Sequence, residues 1–174
     1  MQFTIRENEG CQPQPFLLWD SVWNAGAGQA DWALAGADPL NAGGLQAAAA
    51  LETAVILCLF TDARCPGNHP LAKWAGGDLR GWWGDGLGDA PLGSLLWLLE
   101  RAAMVNGIER WAETLSADAL QTLVTQGAVA KVVTSATKLA AGNGLYLDIA
   151  LYAKDGTVSY AKKFELLWQQ MGLN

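Results

Sequence analysis

The residues of this chain that have the chemistry for catalysis or metal binding are few, and most lie between positions 52 and 89. Cys58, Cys65 and His69 are the close-set soft ligands. Zinc takes four ligands in a tetrahedron, and structural sites usually draw cysteines from Cys-x-x-Cys pairs. The chain has one histidine and no such pair, so the fourth ligand is missing and no metal is expected. Cys65 and His69 are of the right types for a nucleophile and its base, but they sit on a Pro-Gly segment with no evident group to orient the imidazole. Carboxylates are the more serious case. Glu52 lies in an apolar stretch, and Asp62, Asp78, Asp85 and Asp89 follow on a glycine-rich one. Glycoside hydrolysis needs two carboxyl groups facing each other across a sugar cleft, and Trp74, Trp82 and Trp83 are close enough in sequence to stack on sugar rings. A peptidoglycan-cleaving hydrolase is therefore the alternative to a non-enzymatic protein. Against it, acidic residues on glycine-rich loops usually close turns, and Glu52 has Arg64 or Arg80 as candidate ion-pair partners. The run Gly76-Gly-Asp-Leu-Arg-Gly-Trp-Trp-Gly-Asp85 lacks the Gly-Lys-Ser/Thr ending of a phosphate loop, so no nucleotide or other cofactor is expected.

These residues must be held by a fold, and composition bounds what kind. The chain has 174 residues, 51% of them hydrophobic, which suffices for one buried core and excludes a disordered tail. Its net charge is -6 and its pI about 4.6. Such a chain repels phosphate backbones, so no nucleic acid partner is expected, and Lys162-Lys163 is the only adjacent basic pair. The longest apolar run, Ala47 to Phe60, is broken by Glu52 and Thr53, so no membrane span is expected. The N-terminus has neither a basic region nor an apolar core of the signal-peptide kind. Three cysteines at irregular spacing fit free thiols and synthesis in the cytoplasm. Nine tryptophans are the unusual feature, and they hint at a protein whose work is contact.

The patterning predicts one α+β domain over residues 1–174: a small antiparallel sheet packed with three main helices, with N-terminal strands and a C-terminal hairpin. Short N-terminal strands are read around Phe3 and Ile5, over Pro15 to Trp23, and from Asp31 to Leu34. Leu45 to Phe60, rich in Ala and Leu and apolar on nearly every side, is read as the central core helix. Residues 61–92 form a long Gly- and Trp-rich loop. Ser94 to Met104 is read as a second helix with Ser94 as its N-cap, and Ile108 to Gln126 as a third, stopped by Gly127. Ala128 to Thr137 is β-prone, Leu145 to Ala153 alternates as a half-buried strand, and Asp155-Gly156 turns it into Val158 to Leu167.

Several motifs occur in an order that resembles the Mu-like phage baseplate wedge family, which is related to the sheath initiators of contractile tails and type VI secretion machines. They are Asp31-Trp-Ala-Leu34, a helix running from Leu51 into Leu59-Phe-Thr-Asp-Ala-Arg64, Gly81-Trp-Trp-Gly-Asp85, Gly93-Ser-x-Leu-Trp97, Ala119-Leu-x-x-Leu123 followed by Gly127-x-Val129, and Asp155-Gly156 with Phe164 to Trp168. The resemblance covers about residues 30–170. It implies a structural, non-enzymatic subunit of a contractile phage or prophage-derived tail baseplate. Such a subunit is assembled in the host cytoplasm and carried in the virion. It binds larger wedge proteins and the sheath subunit, with the central hub or spike as a further partner, and seeds sheath growth. The related sheath initiators carry Glu-Pro-Arg before a C-terminal strand, where this chain reads Gln126-Gly-Ala-Val. Partner contact is therefore expected from Arg64, Arg80 and the turn Trp82, Trp83 and Asp85. Lys162 and Lys163 are expected to guard an open edge of the C-terminal hairpin.

Overall fold

A computed structural model describes residues 22–24, 29–31, 50–87, 91–101, 107–140 and 144–167. Among these residues there are two α-helices and two separate antiparallel sheets. Helix α1 spans Ala50–Phe60 and buries Leu51, Glu52, Val55, Cys58 and Leu59. These residues form one stripe, and the remaining residues from 53 to 60 are half-buried rather than exposed, so the helix is covered on every side. Residues 45–49 of the expected helix lie outside the described residues.

Helix α2, Ile108–Thr125, is amphipathic. Ile108, Ala112, Leu115, Ser116, Leu120 and Leu123 are buried at helical spacing. It starts after Gly107 and stops at Gly127, both in the left-handed region that favours glycine. The stop is a Schellman motif: the amide of Ala128 donates to the carbonyl of Leu123 and that of Gly127 to Val124, both at 3.0 Å.

The larger sheet has the order β3-β4-β5, with strands Lys131–Lys138, Gly144–Tyr152 and Val158–Leu167, all antiparallel. Strict alternation sends Leu145, Leu147, Ile149 and Leu151 of the central strand into the core and leaves Tyr146, Asp148, Ala150 and Tyr152 on the outer face. The register carries Phe164 and Leu166 of β5 to the same inner face. At the hairpin turn, Asp155 accepts hydrogen bonds from the side chain and the amide of Thr157, which hold its carboxyl below the usual range. Helix α2 packs on β3, and Glu113 reaches past it to accept the amide of Ala136 at 2.9 Å. One edge of the sheet is thereby capped by the protein's own side chain.

The expected architecture needs two corrections. The second of the three helices is a six-residue 3-10 helix, Leu96–Arg101. Gly93 sits at φ 108 with no room for a side chain, since a Cβ there would lie 2.3 Å from the Thr61 carbonyl. Ser94 is then tied into a parallel bridge with Asp62. Its hydroxyl does not cap an α-helix but donates to the Leu59 carbonyl and accepts the amide of Leu96. Four consecutive residues, Leu96 to Leu99, are buried, which no one-sided α-helix satisfies. The N-terminal strands are also not laid out as expected. Val22–Asn24 (β1) and Gln29–Asp31 (β2) pair only with each other in a sheet of their own. The strand expected around Phe3 and Ile5, and most of the other expected N-terminal strand residues, lie outside the described residues.

Candidate functional site

The loop that follows α1 is held by short-range chemistry at nearly every step. Two 3-10 turns, Ala72–Ala75 and Trp83–Leu87, occupy what reads in sequence as irregular chain. Trp97 is 2% exposed, and its indole N–H donates to the Ala63 carbonyl at 2.9 Å. The guanidinium of Arg80 lies 4.5 Å above the Trp97 ring and donates to Asp62 at 2.7 Å. A half-buried cation held between an aromatic face and a carboxylate fixes the loop from both sides. Arg80 itself is forced to φ 47, uncommon for a residue with a side chain. Asp78 stabilises that turn by accepting the Arg80 amide at 2.9 Å. The Cys65 amide donates to Leu79, so residues 62–65 and 78–81 run side by side.

The two adjacent tryptophans leave this clamp in different ways. Gly81, at φ 123, rests on the Arg64 side chain and lets the backbone turn. The Trp82 ring folds over Gly84 so closely that a Cβ there would stand 2.2 Å from it. Trp82 is 37% exposed, whereas Trp83 is 81% exposed, with the two ring centres 5.3 Å apart. The Asp85 amide donates to the Trp82 carbonyl, and its carboxylate accepts the Leu92 amide at 2.9 Å. Asp85 thus closes its turn through backbone, and Arg80 finds its acid in Asp62.

Arg64, Arg80, Trp82, Trp83 and Asp85 are therefore brought into one region. Lys162 and Lys163 are not part of it, and they face opposite ways. Lys162 is on the inner face, ion-paired with Glu52 of α1, and burial lowers its pKa. Lys163 lies outward, 3.4 Å from Asp148 and over the Tyr146 ring. The Glu52–Lys162 pair bridges a sequence separation of 110. Sequence reading placed Glu52 near Arg64 or Arg80 because only neighbours in the chain were visible. The clamp of Asp62 and Arg80 on Trp97 was missed for the same reason, although Asp62 and Trp97 lie in the recognised motifs and Arg80 directly precedes one.

The candidate catalytic groups are not gathered. Glu52 serves Lys162, Asp62 serves Arg80, and Asp78 and Asp85 serve backbone amides. Asp89 lies outside the described residues. Both described cysteines are buried, and burial pushes the Cys58 thiol up to about 11 and also raises Cys65, which disfavours the thiolate nucleophile. His69 accepts the Leu71 amide at Nδ1 and sets its ring edge against Trp111. Among the described residues no group of three His, Cys, Asp or Glu could hold a metal ion. No described helix is long and apolar enough to cross a membrane.

Comparison with known proteins adds to this geometry. A family model described as phage protein GP46 matches residues 51–158, from α1 to the start of β5. The baseplate protein gp46 of Escherichia phage Mu is 43% identical over 109 residues, covering 62% of this chain and 73% of the Mu protein. No solved structure matches.

Proposed function

The chain belongs to the GP46 family of phage proteins, and from that premise we propose that it is a structural subunit of a phage tail baseplate. Within the baseplate we assign it to the wedge of a contractile tail, where it binds larger wedge proteins, contacts the sheath subunit and supports the start of sheath growth. The central hub or spike is a further neighbour. The observation that carries the reading is the likeness to the Mu baseplate protein, together with a family match that runs from α1 through β4.

Two features of the fold support contact as its work. The loop of Arg80 to Asp85 is held by Arg80 yet leaves the Trp83 ring in solvent, and tryptophan is among the residues that most often anchor a contact. The sheet also has unequal edges. Glu113 closes β3, whereas β5 pairs only with β4 among the described residues and is suited to strand addition. We assign the sheath contact to β5, whose outward Lys163 keeps that side polar until a partner arrives. The protein is made in the host cytoplasm and ends in the virion.

The test is a phage genome lacking this gene, complemented in trans. Purified tails are expected to contain the complementing chain at the baseplate, and particles made without it are expected to lack polymerised sheath. Sheathed, infectious tails made without the chain would refute the reading.

A further inference from the structure

We propose that Trp83 and Arg64 form a two-point anchor for a partner surface in which a carboxylate stands beside an apolar socket. The proposal rests on the baseplate reading and names which residues of the loop meet the partner, and with what chemistry. It follows from asking what each charged or aromatic group of the loop already does. Arg80 is neutralised by Asp62 and stacked on Trp97. Asp78 and Asp85 close backbone turns. Trp82 lies over Gly84 and shields the turn. None of these is available to a partner without dismantling the loop.

Two groups remain. Trp83 is 81% exposed, far more than any other large apolar residue among the described ones. Arg64 is exposed, and its guanidinium reaches only the neutral carbonyl of Arg80, at a long 3.4 Å. It has no carboxylate partner among the described residues. The two groups are neighbours. Gly81 rests on the Arg64 side chain, and Trp83 is two residues further, a span of at most about 7 Å of backbone. The left-handed Arg80 and Gly81 fix the path of the backbone that carries the ring before any partner arrives, which removes part of the ordering cost of binding.

The charge of Arg64 selects the partner. The chain carries a net charge of -6, so an acidic surface is repelled by most of it. A guanidinium with no carboxylate partner among the described residues, beside an exposed aromatic ring, makes this loop the place where a carboxylate is accepted, and the ring supplies the buried area. Tryptophan and arginine are also the residues that most often dominate contact energetics.

The anchor is tested with variants supplied to a phage genome lacking this gene, with the chain quantified in purified tails against wild type in competition. Trp83→Ala is expected to reduce incorporation by about 30-fold, the usual effect of truncating a central anchor. Arg64→Lys is expected to keep most incorporation, Arg64→Gln to lose much of it, and Arg64→Glu to lose most. All should melt close to wild type, because Lys, Gln and Glu keep the Cβ and Cγ on which Gly81 rests and the Trp83 ring is largely exposed. Revertants of Arg64→Glu are expected to exchange an Asp or Glu of another baseplate protein for Lys or Arg. Normal incorporation of Trp83→Ala or Arg64→Glu would overturn the anchor. So would equal losses in Arg64→Lys and Arg64→Glu, or revertants confined to this chain. Wild-type chain absent from every tail would instead refute the baseplate reading, so the two failures are distinguishable.

Discussion

The ion pair between Glu52 and Lys162 gives the sharpest test of how this fold is held together. The Glu52 side chain is 9% exposed and that of Lys162 22%, and they tie the enclosed helix α1 to the edge strand β5. Removing one partner of a buried pair leaves an uncompensated charge in the core, at a cost of about 3–5 kcal/mol. Lys162 retains some access to water, so Glu52→Gln should fall at or below the lower end, about 2–3 kcal/mol, and Lys162→Met, which strands the more buried acid, toward the upper end. For a chain of this size each kcal/mol shifts the midpoint by about 2–4 °C, so Lys162→Met should melt roughly 8–16 °C below wild type. The pair Glu52→Gln with Lys162→Met leaves no charge and should recover much of the loss. Urea denaturation of the four proteins closes the double-mutant cycle. The pH dependence has a fixed sign. Burial lowers the folded pKa of Lys162 beneath its unfolded value, so between the two values the unfolded state binds more protons and stability rises with pH. Loss of Glu52 lowers the folded pKa further and should extend that rise to lower pH. Single variants costing less than about 0.5 kcal/mol, or a double variant whose loss equals the sum of the two, would refute this account.

Two further outcomes are expected. Gly93→Ala places a Cβ 2.3 Å from the Thr61 carbonyl at φ 108, and it should cost about 2–3 kcal/mol in urea denaturation because backbone on both sides must move. Glu113→Ala removes the acceptor of the Ala136 amide, so it should cost about 1 kcal/mol and, by opening the β3 edge, raise self-association in sedimentation velocity; an unchanged monomer would show that the edge needs no cap.

Local chemistry was legible in the sequence. Glycine at 127 stops α2 because its conformation needs no partner elsewhere, and Asp155-Gly156 turns the hairpin for the same reason. Alternation from Leu145 to Leu151 declared one buried face, and the apolar run ending at Phe60 declared an enclosed helix. The ordered motifs were enough to reach the family. Contacts between distant residues were decided only in three dimensions. Ser94 is a good helix cap in isolation, but its bridge to Asp62 and the crowding of Gly93 against Thr61 convert the next turn into a 3-10 helix. Trp82 and Trp83 are equivalent letters in the sequence, and only the close approach of Gly84 lays one ring over the turn and leaves the other in solvent. Glu52 finds Lys162 across 110 positions because α1 lies on the inner face of β5. A sequence specifies turns and faces through each residue's own backbone and side-chain preferences, whereas ion pairs and exposed anchors depend on which surfaces meet, and that is set by packing the whole core at once.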